Sequence, residues 1–180
     1  MDNSTPTIKK SAINYGLILG GILAAAVALL YAISLESLTK WWLGIILFLV
    51  ALTVGIVSVA KSKSILGGFI SFKQAFTSYF ITIAIGLFIS VLMSIVIFNV
   101  VDTGAAEYLN EQVIEITRSM MERFGAPEAE VEKALAELEG KNNYSVGNQL
   151  QSFVFQLVFY SIFGLLIALI MKRKDPNSIN

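Results

Sequence analysis

Glu107, Glu111 and Glu115 stand four residues apart, so on a helix their carboxylates form a ladder along one face, with Glu122 near the same line. Several carboxylate oxygens in a row suit a divalent cation such as calcium, or a cationic ligand. The competing reading is a solvated polar face. Arg118 beside the ladder favours that reading, because charged stripes are the ordinary outer side of an amphipathic helix. Lys73, Asp102 and Glu107 are the only candidates for acid, base or nucleophile at the ends of the long apolar stretches. The chain has no histidine and no cysteine, which removes the commonest general base, thiolate metal sites, disulfides and cysteine nucleophiles. Gly-rich phosphate loops, zinc signatures and nucleophile elbows are missing, and the basic residues are too dispersed for a nucleic-acid surface. The expectation is therefore a protein that is not an enzyme, with no catalytic residue, cofactor or metal site.

The strongest polar side chains near or within the apolar stretches are Asn14, Asn99, Gln149, Gln151 and Gln156, and none can ionise. Proton-coupled carriers and voltage sensors bury ionisable groups at mid-membrane, so these residues argue against both. A path for a neutral solute stays open. Two tripeptides, Asn3-Ser4-Thr5 and Asn143-Tyr144-Ser145, match the glycosylation acceptor pattern, which is short and frequent by chance.

These side chains are carried by an unusually apolar chain. Of 180 residues, 56% are hydrophobic and only 14% charged, against about a quarter charged in soluble domains. A helix rises about 1.5 Å per residue and the hydrocarbon core is roughly 30 Å thick, so about 20 uncharged residues cross it. Four uncharged stretches meet that length, at about residues 13–33, 41–60, 76–101 and 153–171. The third is longer, which leaves room for tilt or a broken end. Lys9, Lys10 and Ala24-Ala25-Ala26 imitate a cleaved signal peptide, but the apolar run continues through Ile33, past an ordinary signal core. It reads as a retained first span.

Net charge is zero, with 13 basic and 13 acidic residues, yet the signs segregate. Lys9, Lys10, Lys61, Lys63, Lys73, Lys172, Arg173 and Lys174 flank alternate ends of the spans and belong to one side. The connection 102–148, on the other side, holds ten acids against four bases, and Lys40 lies in a short turn there. Basic flanks face the cytoplasm, so both termini are expected inside. Tyr31, Trp41 and Trp42 fall at the outer interface, where amphipathic rings are favoured.

The short turn 34–40 makes spans one and two an antiparallel hairpin. Between spans two and three, Phe69, Phe72 and Phe76 share a face after Gly67-Gly68. Either an interfacial helix lies over about residues 65–76, or span three begins early, near Phe69. In the outer connection, Leu109, Val113, Ile116, Met120 and Phe124 recur at helical spacing for one buried face. Gly125 ends that helix, Pro127 suits the first turn of the next, and Val131, Leu135 and Leu138 form its buried face before Gly140. Residues 102–148 thus read as an external acidic amphipathic insertion, whose 107–140 hairpin is a candidate contact for the membrane surface or for a membrane or periplasmic protein. Small residues repeat every four positions at Gly16, Gly20, Ala24 and Ala28, and at Ser78, Thr82, Gly86, Ser90 and Ser94. Such ridges let helices approach closely, either within the bundle or across a self-associating seam.

Three segments together resemble a known family. They are Gly68-Phe69-Ile70-Ser71-Phe72-Lys73-Gln74-Ala75-Phe76, the amphipathic insertion before span four, and the ending Ile167-Ala168-Leu169-Ile170-Met171-Lys172-Arg173-Lys174-Asp175-Pro176. The chain resembles an uncharacterised family of small bacterial membrane proteins, domain of unknown function 4199, over nearly its whole length. The resemblance implies the inner membrane of a Gram-negative bacterium and a periplasmic insertion, and it carries over no active residues. The expected fold is an all-α membrane protein, a four-transmembrane-helix bundle with a short external helical hairpin between spans three and four. The expected role is that of a scaffold or interaction protein, with a passive transporter or channel component, acting as an oligomer, as the alternative.

Overall fold

The computed structural model describes residues 4–173, so Asn3 of the first tripeptide and the basic tail from Lys174 onward lie outside it. Six α-helices follow in order: α1 (Ser4–Ile33), α2 (Trp41–Ile65), α3 (Phe72–Val96), α4 (Thr103–Arg123), α5 (Glu128–Glu139) and α6 (Val146–Met171). A short 3-10 turn, Leu35–Thr39, joins α1 to α2, and a π-helical segment, Ile97–Val101, ends α3. Four helices are long and apolar enough to cross a membrane, over Thr7–Ile33, Trp41–Ile65, Phe72–Val101 and Val146–Met171. This is a multi-pass membrane protein.

The long helices form a bundle in which α3 packs against all three others. Side chains facing away from it are apolar, as lipid requires: Ile18, Leu29, Val158 and Ile170 are all exposed. Between α1 and α3 the small-residue ridges carry the contact. A methyl group on Gly16 would meet Ile85, one on Gly20 would meet Ile89, and one on Gly86 would meet Leu19, each within 3.0 Å. The ridges therefore work inside one chain, where absent side chains let backbones approach.

The connection between α2 and α3 resolves the two alternatives. Helix α2 continues through Lys61 and Lys63 to Ile65, and Gly67 and Gly68 then take positive φ values of 70° and 92°, open to glycine without strain. Helix α3 starts at Phe72, where Ser71 and Gln74 form a capping box. The Gln74 amide donates to Ser71 Oγ at 3.2 Å, and the Ser71 amide donates to Gln74 Oε1 at 3.0 Å. No separate interfacial helix forms over 65–76; α3 starts before residue 76 but after Phe69. The three rings divide accordingly, Phe72 stacking on Phe76 while Phe69 lies under the Arg173 guanidinium, 5.4 Å from the ring centre.

At this basic end the chain's last described residue is tied back. Ile70 and Arg173 exchange backbone hydrogen bonds of 3.1 and 2.9 Å, and Lys63 Nζ donates to the Met171 carbonyl at 3.0 Å, one of those α6 leaves open. Both ends of the described chain lie at this end of the bundle, with Lys9 and Lys73 lining one cavity.

The opposite end carries the α4–α5 hairpin. Gly125, at φ 73°, ends α4, and Pro127 is found at the cap of α5, just ahead of its first turn. The expected buried face of α4 is covered only near its base. Leu109 is fully buried and Val113 half-buried, whereas Ile116, Met120 and Phe124 are 37%, 53% and 85% exposed. The reason is geometric. Helix α5 has 12 residues against 21 in α4, buries Val131 and Leu135, and packs chiefly on α4. Periodicity marks an apolar face but not what covers it.

Candidate functional site

The hairpin end is built around Asp102. It caps α4, accepting from the Ala105 amide at 2.9 Å through Oδ1 and from the Tyr31 hydroxyl at 2.9 Å through Oδ2. The amide first, then the hydroxyl, holds this carboxyl below the usual carboxylate range. Ala105, Ala106 and Leu109 of α4 pack with Ile97 and Phe98 into a small apolar cluster backed by Val27, Tyr31 and Leu35. The π-helical turn puts Asn99 within reach of the α5–α6 connection, where its Nδ2 donates to the Tyr144 carbonyl at 2.9 Å. Gln149, only 7% exposed, donates to the same carbonyl. Burial pushes the Tyr144 hydroxyl pKa up, and its ring meets Phe98 edge-on at 5.1 Å. Asn143 donates to Asn110 Oδ1 at 3.0 Å, tying the connection to α4.

Below this cover lies a cleft of about 210 Å³ between α1, α3 and α6. Ser90, Ser94, Asn143, Gln149, Ser152 and Gln156 supply its polar lining, with Val27, Leu87 and Val91 as apolar walls. It can hydrogen-bond a small neutral molecule. Toward the basic end the bundle is filled by Leu19, Tyr79, Ile83 and Leu87, none more than 5% exposed.

Deeper toward the basic end a second polar group is fully buried. Ser58 and Ser62 of α2 meet Ser78 and Thr82 of α3, with Ser62–Ser78 at 2.7 Å and Thr82–Ser58 at 2.7 Å. Thr82 Oγ1 also lies 3.1 Å from the Ala12 carbonyl of α1, so the hydroxyls join three helices. This cluster satisfies its own hydrogen bonds and has no ionisable member.

The ridge on α3 thus divides. Ser78, Thr82 and Gly86 pack, while Ser90 and Ser94 face the cleft. Among the other neutral polar residues, Asn14 and Gln151 are exposed, and Asn99 and Gln149 brace the cover. Sequence reasoning missed Ser58, Ser62 and the Tyr31–Asp102 bond. The four-residue spacing of Ser58 and Ser62 was a usable signal; the 71-residue separation of Tyr31 and Asp102 gave none.

Glu107, Glu111, Glu115 and Glu122 are all exposed on α4, and Glu115 lies 4.0 Å from Arg118. Among the described residues no three carboxylates converge as a metal site would need. Lys73 lines a cavity at the basic end, while Glu107 lines one beside the hairpin with Glu111 and Glu139, so these two candidate groups are at opposite ends. Asp102 is committed to its cap.

These features define a four-span helical membrane protein with a polar cleft under a braced cover and a projecting acidic hairpin. The family described as protein of unknown function (DUF4199) matches residues 14–173, and the chain belongs to it. No curated protein and no solved structure matches the chain.

Proposed function

We propose that this chain is a non-enzymatic interaction protein of a bacterial inner membrane, in which the 107–140 hairpin captures a partner protein. The observation that carries the reading is the uncovered stripe Ile116, Met120 and Phe124 on the outer part of α4. Exposed apolar stripes of this kind mark interaction surfaces. The insertion that carries the stripe has ten acids against four bases, so the partner that complements it has an apolar docking face with a basic rim. An anionic lipid surface is disfavoured by the same charge. The basic end faces the cytoplasm, because seven described lysine and arginine residues flank the helices there, and the hairpin is then periplasmic. The distance between Lys73 and Glu107, at opposite ends, supports a role without catalysis.

The test is a photo-activated cross-linker placed at Met120 or at Glu137 in intact cells. Met120 is expected to give a discrete adduct with one protein, and Glu137, on α5, is not. Equal adducts from the two positions, or none from Met120, overturn the reading.

A second reading, a passive transporter or channel component acting as an oligomer, has the neutral cleft in its favour. Against it, Gly16, Gly20 and Gly86 are occupied by contacts inside one chain, and large side chains fill the bundle beyond the cleft. Flux of a small neutral solute in proteoliposomes, abolished by Ser90→Leu, would restore it.

A further inference from the structure

We infer that the cavity between the starts of α1 and α3 at the basic end holds the phosphate of an anionic lipid headgroup. The cavity measures about 460 Å³ and is lined by Ile8 and Lys9 of α1 and by Ser71, Lys73, Gln74 and Thr77 at the start of α3. Two lysines from different helices line it, and among the described residues no carboxylate does. Among the described residues neither lysine has an acidic partner within ion-pair distance, the pairs present being Lys40–Glu36 and Arg118–Glu115. Two other cations at this end are engaged elsewhere: Lys63 caps α6 and Arg173 covers Phe69. Ser71 and Gln74 satisfy each other through the capping box, which fixes their side chains at the cavity wall. Thr77 adds a hydroxyl to that wall, and Ile8, 3% exposed, gives it an apolar side.

Depth selects the ligand. The uncharged stretch of α1 begins after Lys10 and that of α3 after Lys73, so the two ammonium groups fall where hydrocarbon gives way to headgroups. A phosphate there meets two cations and neutral donors, while its acyl chains can run along the exposed apolar sides of the spans. Basic pockets between membrane helices recognise anionic headgroups in this manner. Free inorganic phosphate offers the same chemistry without the chains, so the test separates the two sources.

The full-length protein in a neutral detergent is assayed by native mass spectrometry with phosphatidylglycerol or phosphatidylcholine, and by thermal melting with each lipid or with inorganic phosphate. Phosphatidylglycerol is expected to remain bound and to raise the melting temperature, and phosphatidylcholine is not. Lys9→Gln with Lys73→Gln should weaken phosphatidylglycerol retention about thirtyfold, the weight of two lysines near a membrane surface. Lys61→Gln with Lys172→Gln removes the same charge at the same end but outside the cavity lining, and should weaken retention much less. Equal losses in the two variants, with both melting as the parent does without lipid, would mean diffuse attraction and overturn the site. Protection by inorganic phosphate equal to that by phosphatidylglycerol would overturn the lipid assignment.

Discussion

Tyr79 is held between two glycines, and that arrangement makes a quantitative prediction. A methyl group on Gly55 of α2 would lie 2.5 Å from Tyr79 Cε2, and one on Gly164 of α6 would lie 2.5 Å from Cδ1. These are opposite edges of one ring, so relief toward one helix drives the ring into the other. Ordinary contact begins near 3.4 Å, so each methyl demands a shift of about 1 Å in a side chain only 1% exposed. Over-packing on this scale costs about 1–3 kcal/mol, against roughly 0.5–1 kcal/mol regained when alanine replaces a helical glycine. Gly55→Ala and Gly164→Ala should therefore each lose about 1–2 kcal/mol. Gly21→Ala and Gly44→Ala, where nothing lies within 4 Å, should lose nothing. The double variant should lose more than the sum of the single losses, since both substitutions act through one ring. Reversible unfolding in mixed micelles, followed by helical circular dichroism, measures each value. If Gly55→Ala and Gly164→Ala unfold at the same denaturant fraction as Gly21→Ala, the close packing around Tyr79 is wrong.

The same assay tests the buried polar atoms. The Tyr79 hydroxyl is buried with no partner among the described residues, so Tyr79→Phe should gain about 1 kcal/mol; a loss would reveal a bond that the structure lacks. Thr82→Val removes a hydroxyl shared among Ser58, Ser78 and Ala12 and should cost about 0.6 kcal/mol, up to about 1.7. Because Asp102 is held below its ordinary value, its cap is fully effective above that value and lost as pH falls through the lower, folded one. The protection of the Ala105 amide, its exchange rate relative to the intrinsic rate at each pH, should fall over that acid range, and Asp102→Asn should abolish that pH dependence of protection. Phe124→Ser should leave stability within about 0.5 kcal/mol, since the ring is already exposed, while abolishing the Met120 cross-link. A larger stability loss would make Phe124 a structural residue.

What the sequence made legible follows from which forces are local. Four apolar helices could be read because membrane thickness imposes a length on any uncharged run. Gly125 announced the end of α4 for an equally local reason, its positive φ. Helix ends were harder. Helix α1 is already formed at Ser4 and α6 at Val146, before their apolar runs, because composition reports depth in lipid whereas backbone bonding continues into polar residues. Ser71 and Gln74 carried the signal that starts α3, but their three-residue capping pattern was masked by the aromatic spacing around it. Tertiary facts were out of reach: the ridge spacing showed that α1 and α3 pack closely with something, not that Gly20 meets Ile89 and Gly86 meets Leu19.

The distribution of packing along the molecule bears on the proposed capture of a partner by the hairpin. From the basic end to mid-bundle, helices are held by side-chain-free contacts, a buried hydroxyl cluster and the Ile70–Arg173 exchange. At the other end, α4 is fixed through Asp102, Ala105, Ala106 and Leu109, its first two turns. Beyond them the two short helices hold chiefly to each other, and such pairs are marginal in water. Burying one large apolar side chain contributes about 1.5–3 kcal/mol, so a partner that covered Met120 and Phe124 would add stability to the outer hairpin. Capture would order the hairpin without disturbing the bundle, because the firm base at Asp102 separates the two.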